Sequence, residues 1–273
     1  MQRIRLRYTK RGRLRFTSHR DFQRAFERAL RRSQVPMAYS AGFTPHPKVS
    51  YANAAPTGTG SEAEFLEIAL TESRDPDVLR ELLNDSMPDG LDITDAVEAR
   101  TSGLADRLTA SIWEMRLDGV GQQDAEKAVA AFNAAETVEV ERRTKNGMRT
   151  FDARSAVVDL RTVDLPPDRS GDRACAILRL VVRHVTPAVR PDDVLSGLRV
   201  VADLAGGASP VRAQSRTWGT VAAAVTRLAQ GLFDEESGTV TDPLAPDREA
   251  APAASTTATG TAVATAPEGA GSA

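Results

Sequence analysis

Residues 4–36 read IRLRYTKRGRLRFTSHRDFQRAFERALRRSQVP, and a change of period inside this stretch decides the expected fold. Basic and apolar residues alternate over 4–8 and again over 14–17, and Lys10-Arg11-Gly12 between them has turn chemistry, so a basic hairpin is predicted. Ser18-His19-Arg20-Asp21 then matches a capping box. Phe22, Ala25, Phe26, Ala29 and Leu30 recur at the amphipathic helical spacing, and Gln34-Val35-Pro36 closes that helix.

Working outward, a loop with Gly42, Pro45 and Pro47 leads to a strand over 48–53, and a second strand follows over 64–70. Asp75-Pro76 places an N-cap acid before a proline at the first helical position, with Val78, Leu79, Leu82 and Leu83 as the buried stripe. Residues 91–99 return as a strand. The order β-α-β-β-α-β predicts a ferredoxin-like sandwich, two helices on one face of an antiparallel sheet. The same order can be read further on: strand 108–117, helix 122–134, strands 137–142 and 173–185, helix 191–204 and a closing strand over 210–218. Between them, Lys145-Asn146-Gly147 turns a hairpin, and 151–160 fits helix or strand. The expected fold is therefore α+β, with two ferredoxin-like (βαββαβ) halves over 1–103 and 104–233, each with an antiparallel sheet. Residues 234–273 are almost entirely Ala, Thr, Gly, Pro, Ser and acids, too poor in apolar surface to offset chain entropy, and are expected to be a disordered tail.

Charge separates the first segment from the rest. Residues 1–50 carry 13 Lys/Arg against 2 Asp/Glu, whereas the 273-residue chain is formally −2. All 3 tyrosines and 4 of the 8 phenylalanines also fall by residue 51, and cations interleaved with aromatics suit a polyanion whose bases can be stacked. On the first helix, Arg20, Arg24, Arg28 and Arg31 fall within an arc of roughly 80° at about 100° per residue, opposite the apolar stripe. Arginine in such a row fits bidentate phosphate contact. Downstream, Gly42, Pro45 and Pro47 hold Tyr39, Phe43, His46 and Lys48 in one short loop able to stack a base and pair a phosphate.

Other chemistries have less support. His19 and His46 can approach each other, but no acid or Cys pattern completes a zinc site, so no metal ligand is assigned. Pro56-Thr57-Gly58-Thr59-Gly60-Ser61 lacks the Lys-Ser/Thr ending of a phosphate-cradling loop. No strand–G-x-S-x-G–helix context is present, and no catalytic residue is assigned. Cys175 is the single cysteine, which excludes an internal disulfide. No apolar run approaches the roughly 18 residues of a membrane span, and the N-terminus lacks an apolar signal region, so a cytoplasmic protein without a membrane partner is expected.

Phe16-Thr17-Ser18-His19-Arg20-Asp21-Phe22, Glu27-Arg28-Ala29-Leu30-Arg31-Arg32 and Tyr39-Ser40-Ala41-Gly42-Phe43-Thr44-Pro45-His46-Pro47-Lys48 together resemble the radical-SAM-linked domain family of unknown function. Ser61-Glu62-Ala63-Glu64-Phe65 resembles that family's Ser-x-x-Glu-Tyr stretch with Phe in the aromatic slot, whereas Ala54-Ala55-Pro56 replaces its Pro-Leu-Pro. These motifs cover residues 13–70. The resemblance implies association with a radical-SAM protein, fused or separate, and a functional link to ribonuclease E/G; it implies no known reaction. A radical-SAM enzyme holds its iron–sulfur cluster on three cysteines, so S-adenosylmethionine and the cluster are implied only for the partner. The leading expectation is a non-catalytic RNA-binding or substrate-presenting partner. Arg20, Arg24, Arg28, Arg31 and Lys48 would bind phosphate, and His19, Tyr39, Phe43 and His46 would recognise the nucleotide. The alternatives are an RNA-modifying enzyme of pseudouridine-synthase-like layout and an adaptor that grips an acidic protein.

Overall fold

The computed structural model describes residues 1–145, 147–164, 174–205 and 223–250. The chain runs through β1 (Gln2–Lys10), a 3-10 turn (Gly12–Phe16), α1 (His19–Arg32), β2 (Val49–Ala52), β3 (Gly60–Leu70), α2 (Pro76–Asn84) and β4 (Ile93–Glu98). It continues as β5 (Ala110–Asp118), α3 (Gln122–Ala134), β6 (Glu139–Thr144), β7 (Gly147–Asp152), β8 (Val157–Val163), β9 (Cys175–Arg183) and α4 (Pro191–Ala205). After α4 come β10 (Ala223–Gly231), β11 (Phe233–Asp234), β12 (Thr239–Val240) and the short α5 (Ala245–Glu249).

Two ferredoxin-like halves with separate antiparallel sheets do not form. One eight-stranded sheet runs β4-β1-β3-β10-β5-β9-β8, with β2 also paired to β3. The join is β10 against β3, and it is parallel, through Thr226↔Gly60 and Arg227↔Ser61. The fold is therefore mixed α/β. The physical reason is edge pairing: β3 and β10 would each carry unpaired backbone groups if the sheets stood apart, and hydrogen bonding across the seam satisfies them. The closing strand expected over 210–218 lies outside the described residues; β10 begins later, at Ala223.

Local expectations fared unevenly. Residues 14–17 continue no hairpin but sit largely in the 3-10 turn, so β1 pairs with β3 and β4 instead. α2 opens on the expected cap, with the Asp75 carboxylate accepting from the Asp77 and Val78 amides. Only Leu79 and Leu83 of its stripe are buried; Val78 and Leu82 face outward. α3 has the expected bounds and buries Ala125, Ala128, Val129 and Phe132. Helix–sheet packing makes two apolar clusters, one around Ile4, Leu6, Phe26 and Leu66, the other around Met115, Phe132, Leu178 and Leu198.

Residues 234–250, expected to be disordered, are built onto the sheet. Leu244 is fully buried and joins Phe65, Val97, Leu104 and Leu108 in a third cluster. Asp247, 2% exposed, accepts from Arg5 Nη1 at 2.5 Å, from the Thr101 hydroxyl at 2.6 Å and from the Thr101 and Arg100 amides at 2.9 and 3.0 Å. Arg107 Nη1 adds a contact at 3.1 Å. Composition missed this strap because one leucine and one aspartate anchor it, and averages over a polar stretch hide both. Residues 251–273 of the expected tail lie outside the described residues.

Candidate nucleic-acid interface

Sequence dictates the geometry of α1. The Ser18 hydroxyl accepts the Asp21 amide at 3.2 Å, which fixes the first turn. Phe22, Phe26, Ala29 and Leu30 then face the sheet, and that phase leaves Arg20, Arg24, Arg28 and Arg31 exposed. At the other end, the Val35 amide reaches the Leu30 carbonyl at 3.0 Å and the Gln34 amide reaches Arg31 at 3.2 Å, a Schellman closure. Its left-handed position, usually glycine, is held by Gln34 at φ 49°.

The basic excess of the N-terminus divides into two populations. Arginines of β1, and Arg11 just after it, are partnered: Arg3 and Arg5 reach Glu67 at 3.4 and 3.0 Å, Arg7 donates to the Glu62 carbonyl at 2.9 Å, and Arg11 pairs with Glu62. On α1 only Arg24 approaches an acid, Asp21, at 3.8 Å. Among the described residues Arg20, Arg28 and Arg31 form no ion pair, nor do Arg13, Arg15 and Arg32, so most of the helix row is left without a neutralising acid.

The loop after α1 closes by reciprocal bonds that the prolines had concealed. The Ser40 amide donates to the His46 carbonyl at 2.8 Å, and the His46 amide donates to the Ser40 hydroxyl at 3.0 Å. Tyr39 and Pro47 bridge just outside them, and Gly42 turns the tip at φ 134°. Between this loop and the C-terminal half of α1 lies a cleft of about 440 Å3. Leu30, Val35, Met37 and Pro47 give it apolar walls, and Glu27, Arg31, Tyr39 and His46 also line it.

The structure therefore brings Arg31, Tyr39 and His46 together. Arg20, Arg24 and Arg28 lie along the outer surface of α1, Phe43 stands fully exposed at the loop tip, and Lys48 is exposed outside the cleft. His19 does not meet His46. It begins α1, roughly 18 Å along the axis from Arg31 at about 1.5 Å per residue, and its ring lies edge-on to Tyr51 at 4.8 Å. Among the described residues no three His, Cys, Asp or Glu side chains group as a metal site. Aromatics also divide: Tyr8, Phe22 and Phe26 stack in the core, whereas Phe16, Tyr39 and Phe43 are exposed. Tyr51, half-buried beside α1, has its phenol pushed up by burial and, secondarily, by the Glu27 carboxylate.

Sequence reasoning missed a buried polar cluster where β3 meets β10. Arg227 Nη1 lies 3.4 Å from Glu64 Oε1 and donates to the Asn53 carbonyl at 2.7 Å, with its guanidinium over the Trp113 ring at 4.7 Å. Lys10 is buried nearby; burial lowers its pKa, and Arg227 adds to that while Glu64 opposes it. The Ser-x-x-Glu stretch was the available signal, since a glutamate flanked by apolar strand residues must be buried with a partner. Close by, the Ser111 hydroxyl lies 2.7 Å from His184 Nε2, while Nδ1 lies 2.5 Å from the Leu108 carbonyl. Donation from Nδ1 to that carbonyl leaves Nε2 to accept from serine, the arrangement of a base and a nucleophile. Ser111 is fully buried, however, and the pair serves as a staple.

The first helix and the loop that follows it thus place exposed arginines beside exposed aromatic side chains on one part of a mixed sheet protein. Residues 3–191 match the family model described as "Uncharacterized protein conserved in bacteria (DUF2344)", and the chain belongs to that family. No curated protein matches the sequence. The matched span contains α1, the loop and the cleft; β10 and the strap follow it. Among the described residues no helix is long and apolar enough to cross a membrane.

Proposed function

We propose that the protein binds single-stranded RNA across α1 and the 39–48 loop and presents it to a radical-SAM enzyme. The observation that carries RNA binding is the contrast between the partnered arginines of β1 and Arg20, Arg28 and Arg31 on α1, which have no acid partner among the described residues. Charges left unneutralised on a rigid helix attract phosphates without desolvating one another, and exposed Tyr39, Phe43 and Phe16 offer faces for unpaired bases. The radical-SAM partner rests on the resemblance of residues 13–70, as does the link to ribonuclease E/G. S-adenosylmethionine and the iron–sulfur cluster belong to that partner in this reading. The chain's role is to bind and orient; no group in it is assigned to the reaction.

Changing Arg20, Arg24 and Arg28 together to Gln tests the row. The apolar face is untouched, so the melting temperature should hold. RNA affinity should fall, and the slope of log K against log salt should flatten by about 2, at roughly 0.7 per lost single-strand phosphate contact. Fluorescence anisotropy over a salt series reads both. Unchanged affinity and slope in the folded triple variant would remove the row as a phosphate contact and favour an acidic protein as its partner.

A further inference from the structure

Glu27 gives the cleft a property that phosphate binding does not use. It sits half-buried in the wall, one turn before Arg31, at the spacing where a glutamate and an arginine readily pair. They do not: among the described residues Glu27 makes no ion pair or hydrogen bond, although Arg31 lines the same cleft. Its carboxylate thus keeps unengaged acceptors at a cleft with both apolar and polar walls. The cleft also lies beside the C-terminal half of α1, the negative end of the helix dipole. A phosphate would be repelled here. A flat group carrying two adjacent N–H donors would be held.

We infer that the cleft is a guanine subsite for one unstacked nucleotide of the bound RNA. Guanine's N1–H and N2–H2 lie side by side and match a carboxylate in a bidentate pair. Adenine and cytosine each set a ring-nitrogen acceptor beside their amino group, and uracil flanks its single N–H with two carbonyls, so each would turn an acceptor toward Glu27. Leu30, Val35 and Met37 supply apolar contact for the ring, and Tyr39 supplies an aromatic surface at the mouth. Arg31 and His46 take the adjoining phosphate. A volume of about 440 Å3 suits one nucleotide and no duplex.

The inference rests on the RNA-binding reading above, and the test separates the two. Full-length protein is titrated by fluorescence anisotropy against fluorescein-labelled decauridylate and against the same strand with one central G, A, C or inosine. The G strand should bind about tenfold tighter than decauridylate, as one bidentate base contact gives. Inosine, lacking the 2-amino group, should lose most of that gain. Glu27→Gln should erase the G preference and leave decauridylate affinity within about twofold, with the melting temperature checked on the same sample. Inosine needs only the native protein, so the test does not depend on the variant folding. Equal binding of all strands, a preference for another base, or a G preference that survives Glu27→Gln overturns the guanine subsite and leaves RNA binding standing. No binding of any strand at low salt overturns both.

Discussion

Asp247→Ala is expected to cost about 3–5 kcal/mol of stability, the range found when one partner of a buried ion pair is removed. Arg5 is 2% exposed in the structure, and the lost carboxylate is the acceptor that closes its Nη1. Glu67 retains the other side of the guanidinium at 3.0 Å, so the cost should fall toward the lower end of that range. Truncation after Phe233 should cost more, because it also removes Leu244 from its cluster with Phe65, Leu104 and Leu108. Urea unfolding at neutral pH measures both. A truncated protein within about 1 kcal/mol of the intact one would mean that the strap rests on the sheet without holding it.

The same carboxylate makes an acid signature. Burial alone would raise its pKa, but the Thr101 hydroxyl and amide, then Arg5, outweigh burial and hold it at about 2. The unfolded value is near 3.9, so the folded pKa is depressed. The resulting stabilisation is present above about pH 4 and is lost as pH falls from there through about 2. Its size is roughly 2.6 kcal/mol, at about 1.4 kcal/mol for each unit between the two values. Asp247→Asn should lose this part of the acid dependence.

Arg227→Met is the second large effect, again about 3–5 kcal/mol, because it leaves the buried Glu64 side chain without its ion-pair partner. Glu64→Ala should be as severe. It would leave Lys10 and Arg227 as two buried cations in one cluster, and would free the Ala55 amide that Glu64 Oε2 now accepts at 2.9 Å. Replacing both at once, with Glu64→Leu and Arg227→Met, should cost less than the sum of the single changes, since the paired charges leave together and Lys10 alone stays buried. Chemical denaturation of the three variants decides it. Additive costs in the double variant would show that Glu64 and Arg227 do not act as a pair.

The N-terminal elements were legible where local chemistry alone sets the structure. Ser18 and Asp75 caps, the stripe on α1 and the bounds of α3 all follow from residues within one turn of each other. The hairpin expected at 14–17 failed because alternation over four residues is equally compatible with a 3-10 turn, and pairing with β3 and β4 won. β10 was invisible because AAVTRLAQG has few β-branched residues and no clean alternation; its neighbours β3 and β5 make it a strand. The single sheet was hidden for the same reason, since its seam depends on that strand. At the candidate site, the arginine row and the loop were readable from spacing. The free Glu27, the Ser40–His46 closure and the distance between His19 and His46 required the fold, because each depends on how the loop returns against the helix.

Ultraviolet crosslinking of the full-length protein to a uridine-rich single strand, followed by peptide mapping, tests the central claim most directly. Cleavage after Arg32 and Lys48 isolates residues 33–48, which hold Tyr39, Phe43 and His46 on one fragment. The expected result is that this fragment carries the dominant crosslink and loses it when Arg20, Arg24 and Arg28 are changed to Gln. Crosslinks confined to residues 110–250, or none under conditions where a known single-strand-binding protein crosslinks efficiently, would contradict an RNA interface on α1 and its loop.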